Sequence, residues 1–245
     1  MSGYCTVVTG AASGMGLAIV RKLLAAKKSV FAVDINATAL GNAYGDEAGV
    51  VSCCCDLSED DSVQIVSEKI KSNFDGVEGF VHCAGFVKTA PLGYILTSDA
   101  KALFNIHVSF AMQFLGWLGR KSNHAPNTSC VLISSLACHE GDKGNVAYAA
   151  AKGGVEGLLK CAAAELVAKG IRVNAIIPGI VDTPLAHYAW MDKFSDEQVQ
   201  AKRAEYPLGF GMPEDIANVV EFFLSDRSRW ITGQTLVCDG GHSIL

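Results

Sequence analysis

The sequence predicts a doubly wound parallel α/β fold in a single domain, and three observations predict it. Short apolar runs alternate with longer stretches of helical periodicity from one end of the chain to the other. Of the 245 residues 50% are hydrophobic, 18% are charged and 25 are glycine, a mix that suits a parallel sheet covered on both faces. A glycine-rich turn joins the first apolar run to the first helical stretch, where folds of this class bind ligands.

Seven runs read as strands: Thr6-Val7-Val8, Val30 to Val33, Val50 to Cys53, Gly79-Phe80-Val81, Cys130 to Ile133, Val173 to Ile176 and Thr235-Leu236-Val237. Between them, Gly16 to Ala26, Ser62 to Lys71, Asp99 to Leu118, Tyr148 to Lys169 and Pro213 to Leu224 carry apolar residues at helical spacing. Right-handed crossovers then place helices on both faces of the sheet. No repeat or flexible linker divides residues 1–245, so one domain is expected. The irregular stretch at about 184–211, with His187, Tyr188, Trp190, Met191 and Phe194, reads as a flap over a ligand or as a surface helix pair.

A net charge of −5, with lysine and arginine scattered, argues against nucleic acid as a partner. Met1-Ser2-Gly3-Tyr4 leads into a strand without a signal-like apolar region, and no run reaches membrane-spanning length, so a soluble cytoplasmic protein without membrane partners is expected. Nine cysteines, an odd number, argue for reduced thiols. Cys53-Cys54-Cys55 lacks metal-ligand spacing, so these residues are expected as small buried hydrophobes and no metal site is predicted.

Thr9-Gly10-Ala11-Ala12-Ser13-Gly14-Met15-Gly16 lies between strand and helix, where glycines let backbone N–H groups approach a pyrophosphate at a helix N-terminus. Asp34 ends the second strand, where its carboxylate can accept both adenosine ribose hydroxyls and would repel a 2′-phosphate. Neither Ser13 nor Ile35-Asn36 supplies a cation for such a phosphate, so NAD is favoured over NADP. The other reading of Asp34 is a cap for the next helix.

Tyr148 and Lys152 stand four apart on one helical face, so an ammonium can stabilise the phenolate and make Tyr148 a general acid and base. Taken alone, the pair equally describes two solvated helix residues. Ser135, however, follows the fifth strand at the carboxyl edge of the sheet, where a hydroxyl can hold a substrate carbonyl.

Together these motifs resemble the short-chain dehydrogenase/reductase family, of the 3-oxoacyl reductase and hydroxysteroid dehydrogenase kind, along essentially the whole chain. The resemblance implies a Rossmann-type sheet and a catalytic set at Asn105, Ser135, Tyr148 and Lys152, with a proton relay from Tyr148 through the cofactor ribose and Lys152 to a water held by Asn105. The TGxxxGxG turn matches Thr9, Gly10, Gly14 and Gly16, and places Ser13 and Met15 beside the cofactor. Asp56-Leu57 is similar to the family's adenine-contacting pair, and Ala84-Gly85 to its cofactor-lining loop. Pro178-Gly179-Ile180-Val181-Asp182-Thr183 resembles the PGxxxT turn, which implies that Thr183 and the Val181 backbone hold the nicotinamide carboxamide. The resemblance also implies a homotetramer, or a homodimer, built on the last strand and the Tyr148 helix; Gly153, Gly154, Gly157 and Ala164 suit such packing.

Two departures stand out. His82-Cys83 occupies the place of the family's Asn-Asn, with His82 read as structural rather than as a base, and Cys138 stands where glycine often follows the catalytic serine. The expected activity is NAD-dependent interconversion of a secondary alcohol and a ketone, with a steroid, bile acid or other bulky alcohol preferred. The alternatives are a 3-oxoacyl thioester reductase and, in another class, a silent NAD-binding scaffold or sensor.

Overall fold

The computed structural model describes residues 3–245. Seven parallel strands form one sheet in the order β3-β2-β1-β4-β5-β6-β7: β1 (Tyr4–Thr9), β2 (Val30–Asp34), β3 (Val50–Cys54), β4 (Gly76–His82), β5 (His124–Ile133), β6 (Arg172–Pro178) and β7 (Thr235–Cys238). The order reverses between β1 and β4, which opens a crevice at their carboxyl ends where ligands bind in such sheets.

Period-two alternation divides the core between the two faces. Val7, Phe31, Val33 and Phe80 point to one side, where Phe114, Leu159 and Val66 from three helices meet them. Val8, Val30, Ala32 and Val81 point to the other, against Ile19, Val20, Ile216 and Val220. The helices of the first face are α3 (Ser62–Asn73), α5 (Phe110–Leu118) and α6 (Val146–Leu166); those of the second are α1 (Gly14–Ala25) and α9 (Pro213–Leu224). The short helix α2 (Ala37–Tyr44) follows β2, and α4 (Thr97–Phe104) precedes α5.

The continuous helix expected over Asp99 to Leu118 is interrupted. Between α4 and α5, residues Asn105–Ser109 form a π turn, with the Phe110 N–H reaching back to the Asn105 carbonyl. Such turns concentrate at functional sites because they displace one residue from the regular ladder. The stretch at 184–211 is largely helical, with α7 (Pro184–Ala189), the 3-10 turn Met191–Lys193 and α8 (Asp196–Ala204). Met191, Tyr206 and Phe210 give it a small apolar core of its own, so the helix-pair reading describes its structure, although it also walls a cavity.

Cys53 and Cys55 are buried as expected, but Cys54 points outward and is exposed, because β3 is an edge strand whose alternate residues face solvent. All nine cysteines are free thiols. Among the described residues, no helix is long and apolar enough to cross a membrane.

Candidate active site

The glycine turn after β1 is shaped by contacts that exclude side chains. Gly10 has φ +65°, and a Cβ there would lie 2.9 Å from the Ala84 backbone. At Gly16 a Cβ would overlap the Gly10 carbonyl, so α1 can close onto the turn only with glycine in both places. Gly14 meets the Thr183 methyl at the equivalent of 3.1 Å, which brings the turn against the start of α7.

Asp34 fastens this turn to the end of β2. Its Oδ2 accepts the Ala12 N–H at 2.9 Å and its Oδ1 accepts the Asn36 N–H at 3.0 Å. The cap of α2 is Asn36 rather than Asp34, since the Asn36 side chain accepts the Ala39 N–H. Each Asp34 oxygen therefore keeps acceptor capacity for a further donor. Asp34 lines a cavity of about 420 Å³ together with Gly10, Ser13, Gly14, Met15, Gly16, Asp56, Leu57, Ala84 and Gly85. Among the described residues, no lysine or arginine lines it.

A second cavity, of about 680 Å³, contains Ser135, Tyr148, Pro178, Gly179, Val181 and Thr183. The two cavities share Met15, Thr183 and Leu185. A glycine-walled trough that starts at an acid and opens onto a phenol fits an extended dinucleotide, with ribose hydroxyls at Asp34 and the reactive end beside Tyr148. Thr183 itself is committed to its own turn: its hydroxyl donates to the Val181 carbonyl at 3.3 Å and accepts the Ala186 N–H at 3.2 Å, capping α7.

Around the phenol, the predicted residues come together in part. Lys152 is buried, and its Nζ donates to the Ile133 carbonyl at 2.7 Å while lying 5.7 Å from the Tyr148 ring centre. Burial pulls the Lys152 ammonium down to about 8. Burial pushes the Tyr148 phenol up to about 12, and the Ser135 hydroxyl beside it works in the opposite direction. Lysine thus approaches the ring rather than dominating the phenol, and the expected lowering of Tyr148 by Lys152 is not seen. The Ser135 Oγ accepts the Ala137 N–H at 3.2 Å and projects from the end of β5.

Asn105 opens the π turn and donates through Nδ2 to the Ser58 carbonyl at 3.2 Å. Ser58 is held in turn by Asp56, whose Oδ1 accepts both its N–H and its hydroxyl. Asp56, expected at the adenine, therefore also anchors the loop on which Asn105 rests.

Two histidines complete the arrangement: His82, expected as a structural residue, and His107, which no sequence signal marked. His82 is buried, and its Nδ1 lies 2.9 Å from the Thr9 hydroxyl while Nε2 lies 2.8 Å from the Ile106 carbonyl. Because a carbonyl only accepts, Nε2 carries the proton and Nδ1 accepts from Thr9. The Thr9 oxygen accepts the Cys83 and Ala84 N–H groups, so one hydroxyl and one imidazole tie β1, the loop after β4 and the π turn together. Burial, with Lys152 nearby, holds His82 down at about 4, which keeps it neutral and structural. His107 donates through Nε2 to the Phe86 carbonyl at 3.1 Å and sets its ring edge-on to Tyr148, with centres 5.4 Å apart. A Cβ at position 85 would overlap the His107 ring. Burial, then Lys152, holds His107 well below its usual value.

Residues 10–243 match the family model adh_short_C2, described as enoyl-(acyl carrier protein) reductase. Similar over its full length is a D-threitol dehydrogenase of Mycolicibacterium smegmatis, 33% identical, with 100% of this chain and 94% of that protein covered. A 3-oxoacyl-[acyl-carrier-protein] reductase FabG of Thermotoga maritima is 30% identical over 98% of both chains. A solved 4-hydroxyisoleucine dehydrogenase complexed with NADH superposes with a TM-score of 0.89 over 99% of this chain and 100% of that one, at 23% identity, a likeness of fold. The chain belongs to the short-chain dehydrogenase/reductase family of oxidoreductases.

Proposed function

We propose that the protein is an NAD(H)-dependent oxidoreductase that interconverts a secondary alcohol and a ketone, with Tyr148 as the proton-transferring residue. The observation that carries this reading is the meeting of the two cavities at Met15, Thr183 and Leu185, which sets the Asp34 trough end to end with the Ser135–Tyr148 chamber. Bound nicotinamide supplies the hydride acceptor or donor. Ser135 holds the substrate oxygen, Tyr148 gives or takes its proton, and the buried Lys152 stands behind it in the proton relay. Asn105 holds the far end of the proton path. Asp34, with no cation beside it, supports NAD over NADP.

The chamber supports a bulky substrate. Leu136, Val87, Ile180, Trp190 and Phe194 give it apolar walls, and its volume falls in the range that takes a drug-sized ligand. A four-carbon polyol would leave most of that wall untouched, so a hydroxysteroid, a bile acid or another large secondary alcohol fits better. A 3-oxoacyl thioester is the second reading, supported by the similarity to the Thermotoga protein. The intact set Asn105, Ser135, Tyr148 and Lys152 speaks against a silent scaffold.

A cytoplasmic homotetramer, or a homodimer, fits the surface of α6 and β7. Gly153, Gly157 and Ala164 lie exposed on α6, and Leu236 and Val237 of β7 are exposed too. Gly154, also expected in that packing, turns inward instead, toward Val108. The test of function is a dehydrogenase screen with NAD and NADP against hydroxysteroids, polyols and 3-hydroxyacyl thioesters. Turnover of hydroxysteroids with NAD is expected; binding of NADH without turnover of any class would refute the enzyme reading.

A further inference from the structure

Three side chains outside the proposed reaction converge beside the Ser135 turn. Cys138 closes the 3-10 turn Leu136–Cys138 that Ser135 caps, His139 follows it, and Glu156 lies on α6 one turn beyond Lys152. The Cys138 Sγ is 2.8 Å from Glu156 Oε1, and His139 Nε2 is 2.9 Å from the same oxygen. All three donor atoms lie within 4.8 Å of one another.

From this convergence we propose that Cys138, His139 and Glu156 form a binding site for a divalent transition ion of the zinc class. Bonds of about 2.0–2.3 Å to a tetrahedral ion set donor separations of roughly 3.3–3.7 Å, so shifts of under about 1 Å seat the ion. A sulfur, an imidazole nitrogen and one carboxylate oxygen suit zinc or cobalt, whereas magnesium and calcium require oxygen ligands throughout. His139 is exposed and the other two are half-buried, which leaves an entry path and a fourth position for water.

The proton balance closes. One Glu156 oxygen now faces both the thiol and the imidazole. On binding, the Cys138 thiol gives its proton to solvent, His139 Nε2 exchanges the proton it turns toward Glu156 for the ion and keeps one on Nδ1, and the Glu156 oxygen turns from both donors to the ion. Thiolate and carboxylate together neutralise the ion. Ser134 Oγ, 3.4 Å from Glu156 Oε1 and 3.2 Å from the Lys152 carbonyl, can turn its one proton to either oxygen and so can support the carboxylate.

The site also reaches the proposed reaction. Cys138 Sγ lies 2.9 Å from the Ser135 carbonyl as well as 2.8 Å from Glu156 Oε1, so a metal-bound thiolate sets a bare, negative sulfur against that carbonyl. Occupancy therefore disturbs the Ser135 turn and lowers turnover. The sequence carries no ligand spacing that announces the cluster, since Glu156 is 18 and 17 residues away from Cys138 and His139.

The experiment titrates Co²⁺ and Zn²⁺ into the full-length protein in which the exposed Cys54 and Cys161 are serine. A near-ultraviolet thiolate-to-cobalt charge-transfer band is expected, displaced by Zn²⁺, absent in C138S, and weakened by about tenfold or more in H139A and E156Q. Without metal, H139A should turn over as the parent does, and its inhibition by Zn²⁺ should be weaker to the same degree. Absence of the band, or a band that persists in C138S, overturns the proposal whatever the substrate proves to be.

Discussion

Replacing His82 by asparagine should flatten the acid limb of the stability curve. His82 is held neutral in the fold, at about 4 against an ordinary 6.5, first by burial and then by Lys152. Between those values the unfolded chain binds a proton that the native protein refuses, so stability falls as pH drops from 6.5 toward 4 and levels off below. At about 1.4 kcal/mol for each tenfold difference in proton affinity, the loss comes to about 3 kcal/mol. That is a large share of the ~5–15 kcal/mol that stabilises a typical domain. His107 adds a loss in the same window, but it stays in both proteins and cancels in the comparison. Asparagine keeps a donor and an acceptor for the Ile106 carbonyl and the Thr9 hydroxyl but is shorter than the ring, so His82→Asn should cost about 1–3 kcal/mol at pH 7.5, from longer bonds and the lost contacts of His82 with Phe80 and Phe110. His82→Ala strands both partners and should cost about 2–5 kcal/mol. Urea unfolding at pH 7.5, 5.5 and 4.5 measures all three proteins. Parallel pH profiles for wild type and His82→Asn would refute the assignment of His82 as a buried neutral link.

Tyr148→Phe removes only the phenol hydroxyl and should lower kcat by about 10²-fold or more while leaving NADH binding within a few-fold, as checked by single turnover and fluorescence titration; near-normal turnover would contradict the role given to Tyr148. Asp34→Ala removes the acceptor for the ribose hydroxyls and should weaken NAD by about tenfold or more while narrowing its preference over NADP; unchanged affinity for both cofactors would remove Asp34 from the site. His187 faces Asp192 through Nδ1 and Asp182 through Nε2, each at 3.0 Å, and these bonds raise its pKa. The charged clamp from α7 to the turn before it is complete below 6.5 and is lost as pH rises through the raised value, so KM should rise there in wild type but stay level in His187→Ala.

Most of the sheet was legible because apolar period and strand length are local properties. Val30 to Val33 and Cys130 to Ile133 lie within β2 and β5, and the glycine turn lies where its position between strand and helix put it. The break of the helix at Asn105 was not legible, because Asp99 to Leu118 has an unbroken helical pattern and the π turn is set by tertiary partners. The same holds for Asp56, whose hold on Ser58 depends on a loop geometry that no spacing specifies. The ionisation of Tyr148 could not be read from its distance to Lys152 in sequence, since burial dominates the phenol and the hydroxyl that opposes it belongs to Ser135.

The histidine pair gives a physical account of how the chain does without the family's Asn-Asn. An asparagine reaches neighbouring backbone through a short amide, whereas His82 spans from the Thr9 hydroxyl to the Ile106 carbonyl through a rigid ring. The π turn presents Ile106 and His107 on opposite errands: the first accepts from His82, and the second donates back to Phe86 beyond Gly85. The loop at 83–86, which walls the trough, is bonded at its start to Thr9, which His82 links to Ile106, and at its end directly to His107. His107 also packs edge-to-face with Tyr148, so the wall of the trough, the π turn and the phenol share contacts. Neutrality makes the link workable. Two imidazolium ions beside Lys152 would repel it and one another, and the low proton affinity of both rings keeps the positive charge of the site on the lysine alone.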